Sequence, residues 1–320
     1  MRSSGADSSS NSSIGAIDIG TNSVLLLIVE ERDGALFAQL DRATITRLGE
    51  GVDRSRRLGA EAGKRTLACL SDYARELRAR SVSRLGVVGT SALRDAEGGA
   101  DFLNEAETIL GTRPQVISGM TEAALTFEGA LSGLDLSGPV SVFDVGGGST
   151  EVISGTAGNE PSVSRAVSLD IGSVRLFERH AQSDPPSAVE IARAVADIES
   201  ALEHAPKPEP GAVLVGVAGT VTTIAAIALG LEPYDGARVH GHVLDSAQVH
   251  SVADQLARLP LKARMNIAGL EPRRADLMVM GSEIVRRIQL WAAAPSLVVS
   301  DRGVRWGVAQ RLATNRAFTS

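Results

Sequence analysis

Short apolar runs alternate with longer amphipathic segments along the chain. Residues 14–19 and 24–29 are aliphatic runs separated by a polar stretch at 20–23, which predicts a β-hairpin with a polar tip. Residues 60–80 instead place apolar side chains at helical spacing, with Arg and Glu on the opposite face. Further apolar runs and helical patterns follow in turn at residues 85–89, 102–110, 115–117 and 122–131. This alternation predicts an α/β fold with mixed sheets.

The pattern restarts in the middle of the chain. The sequence AIDIGTNS at residues 16–23 is echoed by VFDVGGGS at residues 142–149, and a second β-type run follows each. The matched positions are Asp18 and Asp144, Gly20 and Gly146, and Ser23 and Ser149. Two such hairpins, one near the start of each half, predict an internal duplication of one domain.

One uncharged segment is long enough to span a bilayer. Residues 211–231 contain no charged side chain, but they are rich in Ala, Gly and Thr and lack an aromatic belt. The segment divides into a β-type run at 212–217, a Gly219-Thr220 turn and a helical stretch at 222–229. It therefore predicts a buried strand, turn and helix, and no membrane association is expected.

Composition narrows the class of partner. Lys and Arg total 32 against 38 Asp and Glu, a net charge of −6, and aromatic residues make up only 3%. Neither feature favours nucleic-acid binding. Cys69 is the single cysteine, which excludes intramolecular disulfides and cysteine-rich zinc sites and favours a cytoplasmic location. Residues 1–13 are Ser-rich and have no apolar stretch, so we expect a disordered tail there and not a secretory signal.

The two hairpin tips carry the groups that bind phosphate. Their backbone N–H groups, with hydroxyl and amide side chains, can donate several hydrogen bonds to one phosphate. The residues concerned are Thr21, Asn22, Ser23, Gly146, Gly147, Gly148 and Ser149. Asp18 and Asp144 precede the tips and are suited to Mg²⁺ beside the phosphate. A single loop of this kind would be interpreted as a plain turn with local Asp and Asn bonds, whereas the matched pair favours a phosphate site.

These loops resemble the phosphate loops of the actin, sugar kinase and heat-shock chaperone superfamily. More narrowly, the chain resembles the exopolyphosphatase/guanosine pentaphosphate phosphohydrolase (Ppx/GppA) family in its short, two-domain form. The motifs that carry the resemblance lie at residues 16–23, 89–96, 117–123, 144–151, 269–276 and 300–305. They occur in the family's order and span nearly all of the chain after the Ser-rich tail.

The resemblance implies a fold of two actin-like (ribonuclease H-like) domains flanking a cleft. Residues 14–124 would form the first domain and residues 125–302 the second. A final helix at 303–316 would pack back on the first domain. The two phosphate loops would then face each other across the cleft.

The resemblance also implies roles for individual residues. Glu122 matches the glutamate that acts as general base on the attacking water, and Arg94 matches an arginine that orients phosphate. Asp144 and Glu151 match acidic residues linked to Mg²⁺ and to water positioning, and Asp18 adds a third acid near the metal. Phosphoryl transfer to water needs mainly positioning and charge neutralisation, so the chemistry agrees with this assignment.

Each residue also has a simpler interpretation. Glu122 would be a first-turn glutamate that favours a helix N-terminus. Arg94 would be a surface arginine, and Glu151 a charge at a strand edge. The chain also departs from the family pattern, because Thr121 stands where many relatives carry a second acid. Likewise Glu97 follows the Arg94 motif where an asparagine is common, which predicts a looser loop around Arg94.

The favoured function is a Mg²⁺-dependent exopolyphosphatase that releases terminal phosphate from inorganic polyphosphate. Hydrolysis of guanosine pentaphosphate is the first alternative, because both substrates present the same terminal phosphate. A non-catalytic sensor of either molecule and a kinase of the same superfamily stay open as well. Gly219-Thr220 lies where kinase-like relatives place adenosine, or it forms an ordinary strand-to-helix turn with a threonine N-cap. An extended polymer substrate is also compatible with a homodimer.

Overall fold

The computed structural model of the chain describes residues 13–97 and 99–318. The first strands are β1 (Ser13–Ile19), β2 (Ser23–Arg32), β3 (Ala35–Ile45), β4 (Arg84–Gly89) and β5 (Gln115–Val116). They form one sheet in the order β3-β2-β1-β4-β5. The predicted Ser-rich tail at 1–13 lies outside the described residues except for Ser13, which begins β1.

The second sheet repeats the topology of the first. Its strands are β6 (Gly138–Val145), β7 (Thr150–Ala157), β8 (Ser162–Leu169), β9 (Val213–Val217), β10 (Val243–Asp245) and β11 (Ser296–Val299). Their order is β10-β11-β9-β6-β7-β8. In each sheet an antiparallel meander of three strands is followed by a parallel neighbour, β4 beside β1 and β9 beside β6. The matched hairpins therefore open two copies of one topology, as the sequence predicted.

Helices cover both faces of each sheet. They are α1 (Val52–Ser55), α2 (Ala60–Ala79), α3 (Ser91–Asp95), α4 (Ala100–Leu110), α5 (Gly119–Leu131), α6 (Ser173–His180), α7 (Ala188–Leu202), α8 (Ala218–Ala228), α9 (Gly236–Val239), α10 (Ser246–Arg258), α11 (Leu261–Arg264), α12 (Met278–Trp291) and α13 (Val304–Ala313). A short 3₁₀ turn, Pro272–Arg274, precedes α12. The predicted α/β class is confirmed.

The side-chain alternation of the strands decides which helix packs where. Ile17 and Ile19 on β1 pack with α2 and α4 on one face, whereas Ile14 and Ala16 pack with α13 on the other. In the second sheet, Phe143 joins the core formed with α7, α8, α10 and α12, and its neighbours on β6 pack with α5. Helices α5 and α13 therefore lie together between the two sheets.

The contact between α5 and α13 is a close approach of two backbones. A methyl group added at Gly129 would lie 2.2 Å from the carbonyl oxygen of Gly303, and one added at Gly307 would lie 2.1 Å from that of Leu125. No side chain fits at either position. The glycines thus fix the distance between the helices that join the two sheets.

The predicted final helix at 303–316 is seen as α13, and it contacts β1, β2 and β4 of the first sheet. The predicted limit between residues 124 and 125 falls inside α5, which continues from one sheet region to the other. The extents of the two domains, 14–124 and 125–302, stay a prediction.

The uncharged segment at 211–231 forms β9 and α8, as predicted. The turn, however, is at Ala218 and not at Gly219-Thr220, because Ala218 has a positive φ of 71° and α8 begins there. Thr220 does not cap the helix, and its hydroxyl donates to the Val145 carbonyl at 3.3 Å. Among the residues described, no helix combines the length and apolar character needed to cross a bilayer.

We expect Gly129→Ala and Gly307→Ala each to lower the free energy of unfolding by about 1–3 kcal/mol, the usual cost of overpacking. Gly63→Ala is the matched control, because it also lies in a helix but an added methyl would meet no atom closer than 4.0 Å. That control should be neutral or stabilising, since alanine is the better helix former. Urea unfolding of the three variants measures this, and equal effects at all three positions would contradict it.

Candidate active site

The acidic residues lie at the ends of matched strands, on the faces that point between the sheets. Alternate residues of a strand point to the same face, so Asp18 lies on the same face of β1 as Ile14 and Ala16, which pack with α13. Asp144 shares the parity of Val140 and Val142 on β6, which pack with α5. Each inner apolar face therefore ends in a carboxylate.

The two halves differ at one register position beside these acids. Glu151 on β7 is the partner of Asp144 across the β6–β7 ladder. The equivalent partner of Asp18 across the β1–β2 ladder is Leu25. Only the second hairpin therefore contributes a second acid.

Both hairpin tips are closed by the same hydrogen bond. The Gly20 N–H donates to the Ser23 carbonyl at 3.0 Å, and the Gly146 N–H donates to the Ser149 carbonyl at 3.0 Å. The tips also face each other. A methyl group added at Gly148 would lie 3.0 Å from Thr21 Oγ1, and one added at Gly147 would lie 3.0 Å from Thr21 Cβ. The candidate phosphate residues of the two halves are thus brought together.

The first tip has polar atoms that the described residues leave without a partner. The Asn22 carbonyl accepts bonds from the Thr46 and Arg47 N–H groups, which fixes the loop. The side-chain Oδ1 atoms of Asn22 and Asp18 are buried and have no hydrogen-bond partner. Buried polar atoms of this kind are costly unless something binds them. They mark the place where a ligand would complete the site.

Glu122 and Arg94 meet at the start of α5. Ser118 caps this helix by accepting a bond from the Thr121 N–H at 3.1 Å, which places Glu122 in the first turn. Arg94 Nη1 donates to Glu122 Oε2 at 2.9 Å and to the Ile117 carbonyl at 3.1 Å. Glu122 thus occupies a helix start and also points into the cleft, and Arg94 is a partly buried member of an ion pair.

The segment after Arg94 makes backbone contacts with the loop after α1. The Glu97 N–H donates to the Arg56 carbonyl at 2.7 Å, and Arg57 and Glu97 form a parallel bridge. The looser loop around Arg94 stays a prediction.

Four carboxyl groups interact electrostatically in this cleft. Burial, opposed by Arg305 and assisted by Glu151, raises the pKa of Asp18 to about 7. Burial, with the charges of Glu151 and Asp18, raises the pKa of Asp144 to about 8. Burial and the Glu151 charge also raise the pKa of Glu122 well above its ordinary value, against a lowering by Arg94. Burial and neighbouring negative charge both favour the protonated form of a carboxyl group, and a bound cation would favour the ionised form.

Hydrogen bonds orient two of these acids, Glu151 and Asp144. Ser168 Oγ donates to Glu151 Oε1 at 2.7 Å, and this bond partly offsets the burial that raises the pKa of Glu151. Thr126 Oγ1 donates to Asp144 Oδ2 at 3.4 Å. The orientation of each acid is thus set by a neighbouring strand or helix.

The site fits a divalent cation that takes only part of its coordination from the protein. Asp18, Asp144 and Glu151 offer the oxygen ligands that Mg²⁺ prefers, and the unpartnered Asp18 Oδ1 is available. Within residues 13–97 and 99–318, no three His, Cys, Asp or Glu side chains are grouped so as to hold a metal by themselves. Mg²⁺ commonly uses one or two carboxylates and completes its shell with water and substrate phosphates.

Sequence reasoning assigned no role to four residues that the structure places at the site. Thr126 and Ser168 hold acids, Arg305 lies close enough to lower the pKa of Asp18 and Asp144, and Arg274 Nη2 donates to Ser23 Oγ at 3.2 Å. Arg274 and Arg305 lie within the motifs at 269–276 and 300–305. Those motifs were a signal that could have led to them.

Arg274 also bears on the candidate nucleotide position. A methyl group added at Gly219 would lie 1.8 Å from Arg274 Nη1, so this guanidinium covers Gly219.

Comparison with known proteins decides the family. The model of the Ppx/GppA phosphatase family matches residues 27–316. The chain belongs to the Ppx/GppA phosphatase family. Exopolyphosphatase 2 of Mycobacterium tuberculosis is 36% identical over 317 residues, covering 94% of this chain and 98% of that protein. Ppx/GppA phosphatases generally depend on a divalent metal.

A second relative and a solved structure extend the comparison. The Guanosine-5'-triphosphate,3'-diphosphate pyrophosphatase of Vibrio atlanticus is 31% identical over 302 residues, covering 93% of this chain and 58% of that protein. A crystal structure described as an exopolyphosphatase-like protein is 34% identical, has a TM-score of 0.89, and covers 95% of this chain and 98% of its own. The predicted actin-like two-domain fold is therefore confirmed, and relatives of this Ppx/GppA member are phosphoric anhydride hydrolases.

The raised acid pKa values predict a pH-dependent stability of the metal-free protein. A carboxyl whose folded pKa is raised contributes stability that is fully present below its unfolded pKa, 3.8 for Asp18 and Asp144. That contribution is lost as the pH rises to the folded values of about 7 and 8. We therefore expect the melting temperature in a chelator to fall between about pH 4 and pH 8.

Millimolar Mg²⁺ should raise the melting temperature more at pH 8 than at pH 5, because the metal needs deprotonated ligands. Asp144→Asn should flatten both dependences, whereas Asp101→Asn, which removes an exposed acid on α4, should leave them unchanged. Thermal unfolding across this pH range measures the effect. A Mg²⁺ response of equal size at both pH values would contradict the carboxylate site.

Proposed function

We propose that this protein is an exopolyphosphatase that hydrolyses the terminal phosphate of inorganic polyphosphate, with Glu122, Arg94 and Glu151 as its catalytic residues. One observation carries the proposal. The two hairpin tips meet at Thr21, Gly147 and Gly148, and the buried acids lie at the ends of the strands that lead into those tips. This pairing of donors and acids suits phosphate transfer to water, and the family comparison supports it.

The terminal phosphate would be bound by the tips. Thr21, Asn22 and Ser23 supply donors from the first half, and the segment Gly146 to Ser149 supplies backbone N–H groups from the second. Arg94 would orient the phosphate by exchanging part of its pairing with Glu122 for a phosphate oxygen. Backbone donors of this kind are positioned before the substrate arrives, so little reorganisation opposes the reaction.

Glu122 would orient the attacking water and take its proton. As the water oxygen bonds to the terminal phosphorus, the bond from phosphorus to the bridging oxygen breaks, and its electron pair stays on the shortened chain. A general base works best when its pKa lies near the operating pH. Burial and Glu151 raise the pKa of Glu122 in that direction.

One or two of the carboxylates Asp18, Asp144 and Glu151 would bind Mg²⁺ together with water and substrate phosphate, and the ion would supply charge neutralisation for the phosphate oxygens. Ser168 and Thr126 keep Glu151 and Asp144 oriented in its absence. Arg305 adds a fixed positive charge near Asp18 and Asp144. The acids would thus be preorganised before metal and substrate bind.

Polyphosphate is favoured over a nucleotide because Arg274 covers Gly219, the position where kinase-like relatives place adenosine. A linear phosphate chain needs no base pocket there, and Arg274 beside Ser23 offers it a cation. Guanosine pentaphosphate hydrolysis is the second candidate, on the name of the Vibrio relative. Because Arg274 occupies the space beside Gly219, the same contact argues against ATP binding there and so against a kinase.

Glu122→Gln should lower kcat by about 10²–10⁴-fold, the usual contribution of a general base, while substrate still binds. The amide preserves the shape of the side chain but takes no proton. Glu128→Gln is the matched control, because Glu128 lies on the same helix and pairs with Arg311 at 2.9 Å away from the cleft. Phosphate release and polyphosphate binding are measured for both. Turnover by the Glu122 variant at the wild-type rate would refute the base assignment.

Phosphate release should be faster from long-chain polyphosphate than from guanosine pentaphosphate, and a chelator should abolish both. The two substrates are offered in parallel to the purified protein with Mg²⁺. Release mainly from the pentaphosphate would move the function to that substrate. Binding of either substrate without any release would instead support the sensor.

A further inference from the structure

Arg175 on α6 is a buried arginine that no step of the reaction above uses. Its side chain is 5% exposed, and its guanidinium contacts three different segments. Nε donates to the Gly148 carbonyl at 2.6 Å, Nη2 donates to Asp95 Oδ2 at 2.5 Å, and Nη1 pairs with Asp53. One side chain therefore joins the second phosphate loop to two helices that follow strands of the first sheet.

Asp95 connects these contacts to the candidate catalytic residue Arg94. Asp95 follows Arg94 directly and ends α3, the short helix that carries Arg94 towards Glu122. Asp95 Oδ2 is also 3.4 Å from Ser91 Oγ at the start of α3. Arg175 thus holds the helix of Arg94 with one end of its guanidinium and the carbonyl of Gly148 with the other.

The space beside this guanidinium is small and partly open to the surface. A cavity of about 20 Å³ lies behind the phosphate loops and is lined by residues that include Thr21, Ser91, Asp95, Gly148 and Arg175. A volume of this size holds about one water molecule. A phosphate does not fit there, so Arg175 acts from behind the site and does not touch the substrate.

Charge in this cluster is balanced by a second arginine. Arg179, one turn later on α6, pairs with Asp53 at 2.8 Å and 2.9 Å but contacts neither Asp95 nor Gly148. Asp170 lies 4.0 Å from Arg175 Nη2 and is exposed. Two arginines therefore face two buried or half-buried aspartates, and only Arg175 links them to the loop.

We infer that Arg175 is a positioning residue that sets the distance between Arg94 and the phosphate loop at Gly148, and so aligns the two halves of the site. This inference rests on the proposed function only for its kinetic test. A planar guanidinium can satisfy three acceptors in fixed directions, whereas a lysine ammonium cannot hold the same fork. Positive charge alone is therefore not sufficient at this position.

Arg175→Lys and Asp95→Asn should each lower kcat on polyphosphate by about 10- to 100-fold, since small displacements of catalytic groups cost up to that amount. KM should change much less, because the substrate contacts remain. The double variant should be no worse than the poorer single variant, since Asp95→Asn alters only a contact that Arg175→Lys already disturbs. Arg179→Lys is the matched control and should keep kcat, because it alters only the Asp53 side of the cluster.

A second measurement does not depend on turnover. Amide hydrogen exchange in residues 91–95 should become faster in Arg175→Lys and Asp95→Asn, and stay unchanged in Arg179→Lys. If Arg175→Lys does not fold, Asp95→Asn alone carries both tests, because its amide keeps the shape of the carboxylate.

Three outcomes separate the claims. Loss of kcat with unchanged KM and faster exchange only in the Arg175 and Asp95 variants supports the inference. Wild-type kcat in Arg175→Lys and Asp95→Asn, or equal losses in Arg179→Lys, would overturn it. A wild-type protein that releases no phosphate would overturn the proposed function instead, and the exchange measurement would still decide the role of Arg175.

Discussion

The site depends on the backbone contact between α5 and α13. These helices lie between the two sheets, and glycines at 129 and 307 let them approach more closely than any side chain allows. Glu122 stands in the first turn of α5 and Arg305 in the first turn of α13. The spacing of the two helices therefore sets the position of Glu122, the candidate base, relative to the guanidinium of Arg305, which lies near Asp18. A larger side chain between the helices would therefore displace Glu122 and Arg305 as well as disturb the packing.

Four acidic side chains are buried close to this helix pair. Asp18, Glu122, Asp144 and Glu151 are all buried. The charge of Glu151 raises the pKa of the other three, and the charge of Asp18 raises the pKa of Glu122 and Asp144. Such an arrangement works against folding stability at neutral pH, and the proposed binding of a cation would offset the repulsion between the acids. Hydrogen bonds from Thr126 and Ser168 keep two of the acids oriented meanwhile.

Much of this could be predicted from the sequence, because hairpins and strand alternation are local. The two hairpin tips, the correspondence between Asp18 and Asp144, and the helix start at Glu122 are each visible in a motif shorter than ten residues. Arg175 could not be found that way. Its acidic partners, Asp53 and Asp95, lie 80 residues or more away in the chain, and only the packing of one half on the other brings them into contact. Ala218 was missed for a different reason, since nothing in an alanine announces a positive φ.

The register difference between the hairpins shows how a repeated fold acquires unlike halves. Leu25 and Glu151 occupy equivalent places opposite Asp18 and Asp144, so the two copies of the hairpin differ in charge at this position. A chain with Leu at both places would carry one acid fewer in the cleft, and a chain with Glu at both places would carry one acid more. The second hairpin therefore brings two acids to the cleft, Asp144 and Glu151, whereas the first brings only Asp18. The same repeated topology thus surrounds the cleft with an unequal distribution of charge.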